Sequence, residues 1–195
     1  MIEAVLIDLD GTLIQFSACY ADFMRDMAAG WGITNPEDPF FALYGNAIRS
    51  EGAVTFQSSI QIALTGSGRP VPDDFVERCE SSVSGYARGI ELLPLANVLL
   101  ARYGHLPKAI VSNGPSDMQR AALAKADIKH FFDEVLISGD AEVAIRKPNP
   151  QIFLQACARL GVSPERTLMI GDNMESDIKG AEAAGLTALH ISAFQ

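Results

Sequence analysis

The chain has 195 residues, 48% of them hydrophobic and 20% charged, which suits one domain with a substantial core, or one domain carrying a modest insertion. Its formal net charge of -9 opposes polyanions at long range, which excludes non-specific nucleic-acid binding and attraction to anionic membranes and leaves a small anion only where local cations meet it. Cys19, Cys79 and Cys157 are scattered and form no CxxC pair, which argues against a disulfide framework or a thiolate zinc site; with no apolar run near the ~18 residues of a membrane helix, and with Glu3 and Asp8 interrupting any signal-peptide core, a cytoplasmic protein is expected.

The first apolar run, AVLI, reads as a buried strand and passes directly into Asp8-Leu9-Asp10-Gly11-Thr12. Residues 15 to about 88 read differently. FMRDMAAGW, FFALYGNAIRS, FQSSIQIAL and DDFVERCESSVSGYA carry helical spacing, are separated by turns rich in proline and glycine, and include no convincing run of strands. From about Pro94 onward strands and helices alternate. KAIVSN (108–113) is a strand, and PSDMQRAALAKAD (115–127) is a helix opening on proline, which suits a first helical turn. EVLIS (134–138) is a strand. PQIFLQACARLG (150–161) is a helix with Asn149 as its cap and Gly161 as its stop. TLMIG (167–171) is a strand, MESDIKGAEAAG (174–185) a helix ending at Gly185, and TALHIS (187–192) a last strand. This alternation predicts an α/β fold: a Rossmann-like three-layer core around a parallel sheet, built from 1–14 and 89–195, with residues 15–88 inserted as an all-helical cap. Ligands of such sheets bind beyond the carboxyl ends of the strands.

Several polar groups fall at those ends. Residues i and i+2 of a strand share a face, so Asp8 and Asp10 lie together while Leu9 points away. Two aligned carboxylates repel unless a cation reconciles them, and an all-oxygen set favours a hard ion such as Mg²⁺. A bare DxD is, taken alone, as well explained by a strand end and a capped turn. Asp172 ends the strand TLMIG, and Asp177 follows near a helix start, where by itself it is a favourable charge on a helix N-terminus. Ser112 and Asn113 end the strand AIVSN before a helix, where a hydroxyl and backbone N–H groups suit an anion, though SNG alone is a turn. Lys147 precedes another helix, and a lone lysine is usually solvated.

In this order, DLDGT, a strand ending in Ser112, Lys147 within KPNP, and GDNMESD, the chain resembles the haloacid dehalogenase-like superfamily of hydrolases in its phosphatase branch, from Val5 to about Ile191. The resemblance implies an enzyme that cleaves phosphoric monoesters with Mg²⁺. Asp8 would be the nucleophile, forming an aspartyl-phosphate, and Asp10 the acid and base. Gly11, Ser112, Asn113 and Lys147 would hold the phosphate. Asp8, the carbonyl of Asp10 and Asp172 would hold the metal, with Asp177 behind it or bound through water. Arg146 departs from the family's pattern, which more often has a small residue there.

The chemistry asks for these residue types on its own account. A carboxylate nucleophile divides one hard step into two, and a loose phosphoryl transition state needs positioning and charge more than covalent help. Acid-base catalysis alone supplies roughly 10²–10⁴ against a requirement of up to ~10²¹. The expected partner is a small phosphorylated metabolite. A sugar phosphomutase would keep every residue named here, and a non-catalytic scaffold would show decay at one of them, which the sequence does not. Asp10 sets dehalogenation aside. Within the insertion, Phe16, Tyr20, Phe40, Phe41, Tyr44 and Arg49 are candidates to face a substrate; most of the aromatics, and Trp31, read as packing residues, while Arg49 could meet a second anionic group. His105, His130 and His190 follow no metal spacing and are assigned no role.

Overall fold

The computed structural model describes residues 1–17 and 19–194. Its strands, in chain order, are β1 (Ala4–Ile7), β2 (Ile14–Phe16), β3 (Ile90–Leu92), β4 (Lys108–Ser112), β5 (Glu134–Ile137), β6 (Thr167–Gly171) and β7 (Thr187–His190). The α-helices are α1 (Tyr20–Gly30), α2 (Pro39–Ala47), α3 (Phe56–Gly66), α4 (Phe75–Arg88), α5 (Pro94–Tyr103), α6 (Ser116–Ala126), α7 (Pro150–Leu160) and the short α8 (Gly180–Ala183). Among the described residues no helix is long and apolar enough to cross a membrane.

The core is a five-stranded parallel sheet in the order β5-β4-β1-β6-β7. Strand β1 is central and fully buried, as expected of an apolar run covered on both faces. Its side chains alternate between two clusters. Val5 and Ile7 pack with Leu99 of α5 and Met118, Ala122 and Leu123 of α6, whereas Leu6 packs with Ile152, Phe153 and Ala156 of α7. Helix α7 shows why the sequence folds this way locally. Pro150 occupies its first turn, the Asn149 side chain accepts from the Gln151 amide, and Gly161 closes it in the left-handed conformation. Ile152 and Phe153 are fully buried; side chains of that size each contribute roughly 1.5–3 kcal/mol on burial.

The chain between 20 and 88 is helical, and it is joined to the core by a feature that sequence patterning did not register. Strands β2 and β3 flank the insertion and pair antiparallel, Gln15 opposite Glu91. At three residues each, they are too short for a periodicity to show. The insertion is also tied to core loops. The amides of Phe56 and Gln57, at the start of α3, donate to Asp117 of α6 at 2.7 and 3.4 Å. Val54 donates to the Gly139 carbonyl and accepts from the Ser116 amide.

Two boundaries differ from the sequence expectation. The helix expected over 174–185 is a π turn at Met174–Lys179 followed by α8. Asn173 causes the wide turn: its side chain accepts from the Glu175 and Ser176 amides, and its carbonyl accepts from Asp177 and Ile178. The last strand stops at His190, and Ile191–Phe194 form a 3₁₀ turn.

Candidate active site

Parallel strand order brings the ends of β1, β4 and β6 side by side, and three carboxylates and a lysine meet there. Asp8 follows β1, its amide still bonded to the Ile170 carbonyl of β6. The Lys147 ammonium donates to Asp8 Oδ1 at 2.5 Å and to the Val111 carbonyl at 2.7 Å, and lies 2.8 Å from Asp177 Oδ1. Thr12 Oγ1 donates to Asp8 Oδ2 at 3.2 Å. Asp8, Asp172 and Asp177 each bring a carboxylate oxygen within 4.8 Å of the others. Lys147 is therefore no solvated surface lysine; it is 4% exposed.

Charge in this cluster is unbalanced. Burial raises the Asp8 pKa to about 7, with Lys147 opposing and Asp177 and Asp10 adding to the rise. Burial, then Asp177, also raises Asp172. Burial pulls Lys147 down, but Asp8 and Asp177 more than offset it, so the ammonium is held charged. One lysine among three close carboxylates leaves negative charge uncompensated. An oxygen-only donor set of this kind fits a hard divalent cation such as Mg²⁺.

Asp10 stands apart from that cluster. Its Oδ2 accepts from Gln119 Nε2 at 2.7 Å, and its Oδ1 from the Tyr86 hydroxyl at 3.4 Å. Each carboxylate oxygen thus has a partner outside the cluster. Burial raises the Asp10 pKa, with the Gln119 hydrogen bond opposing. Asp177, expected behind the metal, is 1% exposed and lies within the cluster itself.

Two of the residues expected at the phosphate have partners of their own. The Gly11 amide donates to the Ile14 carbonyl at 2.8 Å, so it is not free to meet a phosphate. Gly11 matters for another reason: its φ is +80°, and a Cβ there would stand 2.2 Å from Asp172 Oδ2. Only glycine lets the two motif loops approach this closely. The Asn113 side chain is spent on the Lys147 segment, donating to its carbonyl and accepting from its amide, both at 2.9 Å; it positions the lysine. Ser112 is fully buried with a hydroxyl that has no partner among the described residues. An orphaned buried hydroxyl is costly, and a bound phosphate oxygen would satisfy it.

Three residues escaped the sequence reading. Gln119 donates to Asp10 and to the Asn113 carbonyl at 3.1 Å; two acceptors on one side fix which end of its amide carries the nitrogen. Tyr86 reaches Asp10 from α4, across the boundary between insertion and core. His190 Nε2 lies 2.8 Å from the Asp172 carbonyl, while its Nδ1 accepts from the Ser192 amide, so Nε2 carries the proton and donates. No spacing rule points to these, because each partner is brought by a different element. Of the aromatics expected near a substrate, Phe40 and Tyr44 are buried in the packing of α2 and α3, and Phe16 stacks on Tyr86 at 5.4 Å. Trp31 packs on Phe75, with Arg78 over its ring.

Comparison with known proteins agrees with this geometry. A family model for haloacid dehalogenase-like hydrolases matches residues 2–185. Over 106 residues the chain is 42% identical to the phosphoserine phosphatase of Thermus thermophilus, a match covering 53% of this chain and 42% of that protein; the chain thus spans less than half of that relative. It is 30% identical to the phosphoglycolate phosphatase of Photorhabdus laumondii, over 98% of this chain and 80% of the relative. The crystal structure of a HAD phosphatase from Thermococcus onnurineus superposes with a TM-score of 0.71 at 25% identity, covering 96% of this chain and 85% of that one.

Proposed function

The chain belongs to the haloacid dehalogenase-like hydrolase family, and from that footing we propose that it is a Mg²⁺-dependent phosphatase of small phosphorylated metabolites that works through an aspartyl-phosphate on Asp8. One observation carries the reading: Asp8, Asp172 and Asp177 converge, with Asp8 and Asp177 paired to a single buried lysine, beside an orphaned serine hydroxyl and a separately held Asp10.

Ionised Asp8 attacks phosphorus, the bond from phosphorus to the ester oxygen breaks, and Asp10 delivers its proton to the departing oxygen. The raised pKa of Asp10 keeps that proton available. Gln119 and Tyr86 hold the carboxyl in place. Asp10, now ionised, takes a proton from water as the water oxygen bonds to phosphorus; phosphate leaves and Asp8 is restored. Lys147 fixes one oxygen of Asp8 and neutralises charge on the transferring group, and the Ser112 hydroxyl donates to a phosphate oxygen. Asp8, Asp172 and the Asp10 carbonyl, with Asp177 beside them, would hold Mg²⁺, which when bound supplies the positive charge a dianion needs to approach this acidic site.

Release of phosphate from p-nitrophenyl phosphate, present with Mg²⁺ and absent with chelator, tests the reading. Asp8→Asn should abolish turnover with its melting transition preserved; a near wild-type rate for that variant would overturn the nucleophile assignment.

A further inference from the structure

The ladder between β6 and β7 ends one residue short of Asp172: its last pair is Gly171 with His190. Beyond that pair the chains part. Asn173 opens the wide turn at Met174–Lys179, and Ile191–Phe194 fold into the 3₁₀ turn. Asp172 lies at the parting, and His190 spans it. Its Nε2 donates to the Asp172 carbonyl at 2.8 Å, while Nδ1 accepts from the Ser192 amide at 3.1 Å and lies 2.9 Å from Ser192 Oγ. With both ring nitrogens engaged, the tautomer and the direction of the ring are set together. The histidine extends the ladder by one bond, made with a side chain instead of the main chain.

Asp172 differs from the other acids in how it is held. Asp8 has Lys147 and Thr12. Asp10 has Gln119 and Tyr86. Asp177 has Lys147, the Asn173 amide and the Ser176 hydroxyl. Among the described residues the Asp172 carboxylate makes no hydrogen bond or ion pair to another side chain, and the residue is exposed. Its direction therefore rests on its own main chain. The clearance is small, since a Cβ on Gly11 would stand 2.2 Å from Asp172 Oδ2. Carbonyl and carboxylate belong to one residue, so a swing of the first displaces the second across this gap. Satisfying the carbonyl does not by itself require a histidine. The contact lies in an exposed part of the molecule, where water can donate to a carbonyl. What water does not supply is a fixed direction.

We propose that His190 is a positioning residue of the metal site: by holding the Asp172 carbonyl it aims the Asp172 carboxylate at the acidic cluster and so sets the affinity for Mg²⁺. This rests on the phosphatase reading above and adds a residue that no motif spacing singles out. Groups that orient a ligand without touching the metal are worth about 10–100-fold in metal affinity. His190 acts through the main chain, so the lower end of that range applies.

The test is calorimetric titration of MgCl₂ into chelator-treated wild type, His190→Leu and His190→Gln at one fixed pH. Leucine removes the donor and keeps bulk; glutamine brings an amide N–H to about the place of Nε2. His190→Leu should bind Mg²⁺ about tenfold more weakly, and His190→Gln should recover most of the loss. Melting temperatures in chelator should stay close to wild type in both, whereas a merely structural role would lower stability in step with affinity. An unchanged Mg²⁺ affinity in His190→Leu, or equal weakening in the two variants, would overturn the proposal and leave the phosphatase reading standing. If wild type itself binds no Mg²⁺, the metal-dependent reading falls, and amide exchange in the metal-free protein decides the positioning. The amides of Asn173, Glu175 and Ser176 are bonded within the turn that follows Asp172. They should exchange several-fold faster in His190→Leu and not in His190→Gln; equal exchange in all three proteins would overturn it.

Discussion

Lys147→Met removes the one cation at the centre of the acidic cluster while keeping most of the side chain's volume. The lysine is buried, 2.5 Å from Asp8 and 2.8 Å from Asp177. Breaking a buried pair by deleting one partner costs about 3–5 kcal/mol, because the other charge is left unpaired. The loss should also depend on pH in a defined direction. Asp8 has a pKa of about 7 folded against 3.8 unfolded, so folding takes up a proton between those values. Its contribution is therefore most favourable at low pH and is lost as pH rises toward 7. Below 7 Asp8 is protonated in wild type and variant alike. Without Lys147 its pKa climbs further, and each pH unit above 7 adds about 1.4 kcal/mol to the variant's deficit. Urea unfolding in chelator at pH 6.5 and pH 8.5 measures both quantities. A loss of under about 1 kcal/mol, or a deficit equal at the two pH values, would refute the claim that a buried lysine holds the acids together.

The remaining predictions concern single groups. Gln119→Met keeps the length of the side chain and removes its donor; if Gln119 orients Asp10 as the acid, kcat/KM should fall about tenfold or more for alkyl phosphates and little for dinitrophenyl phosphate, whose leaving group needs no proton, and equal loss on both would make the role structural only. Gly11→Ala places a methyl against the Asp172 carboxylate at a positive φ, so stabilisation by Mg²⁺ in a thermal melt should disappear together with activity. Because Asp8 must lose its proton to bind a metal, Mg²⁺ affinity measured by calorimetry should rise with pH up to about 7 and level off above it; an affinity flat from pH 5.5 to 8 would show that Asp8 is not a ligand.

Strong local signals made the core legible in the sequence. AVLI and TLMIG are apolar runs of strand length, and Asn149 with Gly161 brackets a helix by cap chemistry alone. The elements that patterning mistook lie where tertiary contacts override local preference. The run 174–185 has good helical composition, yet Asn173 captures the first amides and opens the turn to π geometry. Likewise β2 and β3 exist only because each is the other's partner across an insertion of more than seventy residues, which local sequence cannot express.

The site divides along the same line. Asp8, Ser112, Lys147 and Asp172 are visible because each ends a strand or opens a helix, and topology alone must bring such positions together in a parallel sheet. What lies around them follows from a different rule, that a buried charge must be answered by a neighbour whatever its place in the chain. Asp10 is answered by Gln119 on α6 and Tyr86 on α4, Lys147 by Asp8 and Asp177, and the Asp172 carbonyl by His190 from the adjacent strand.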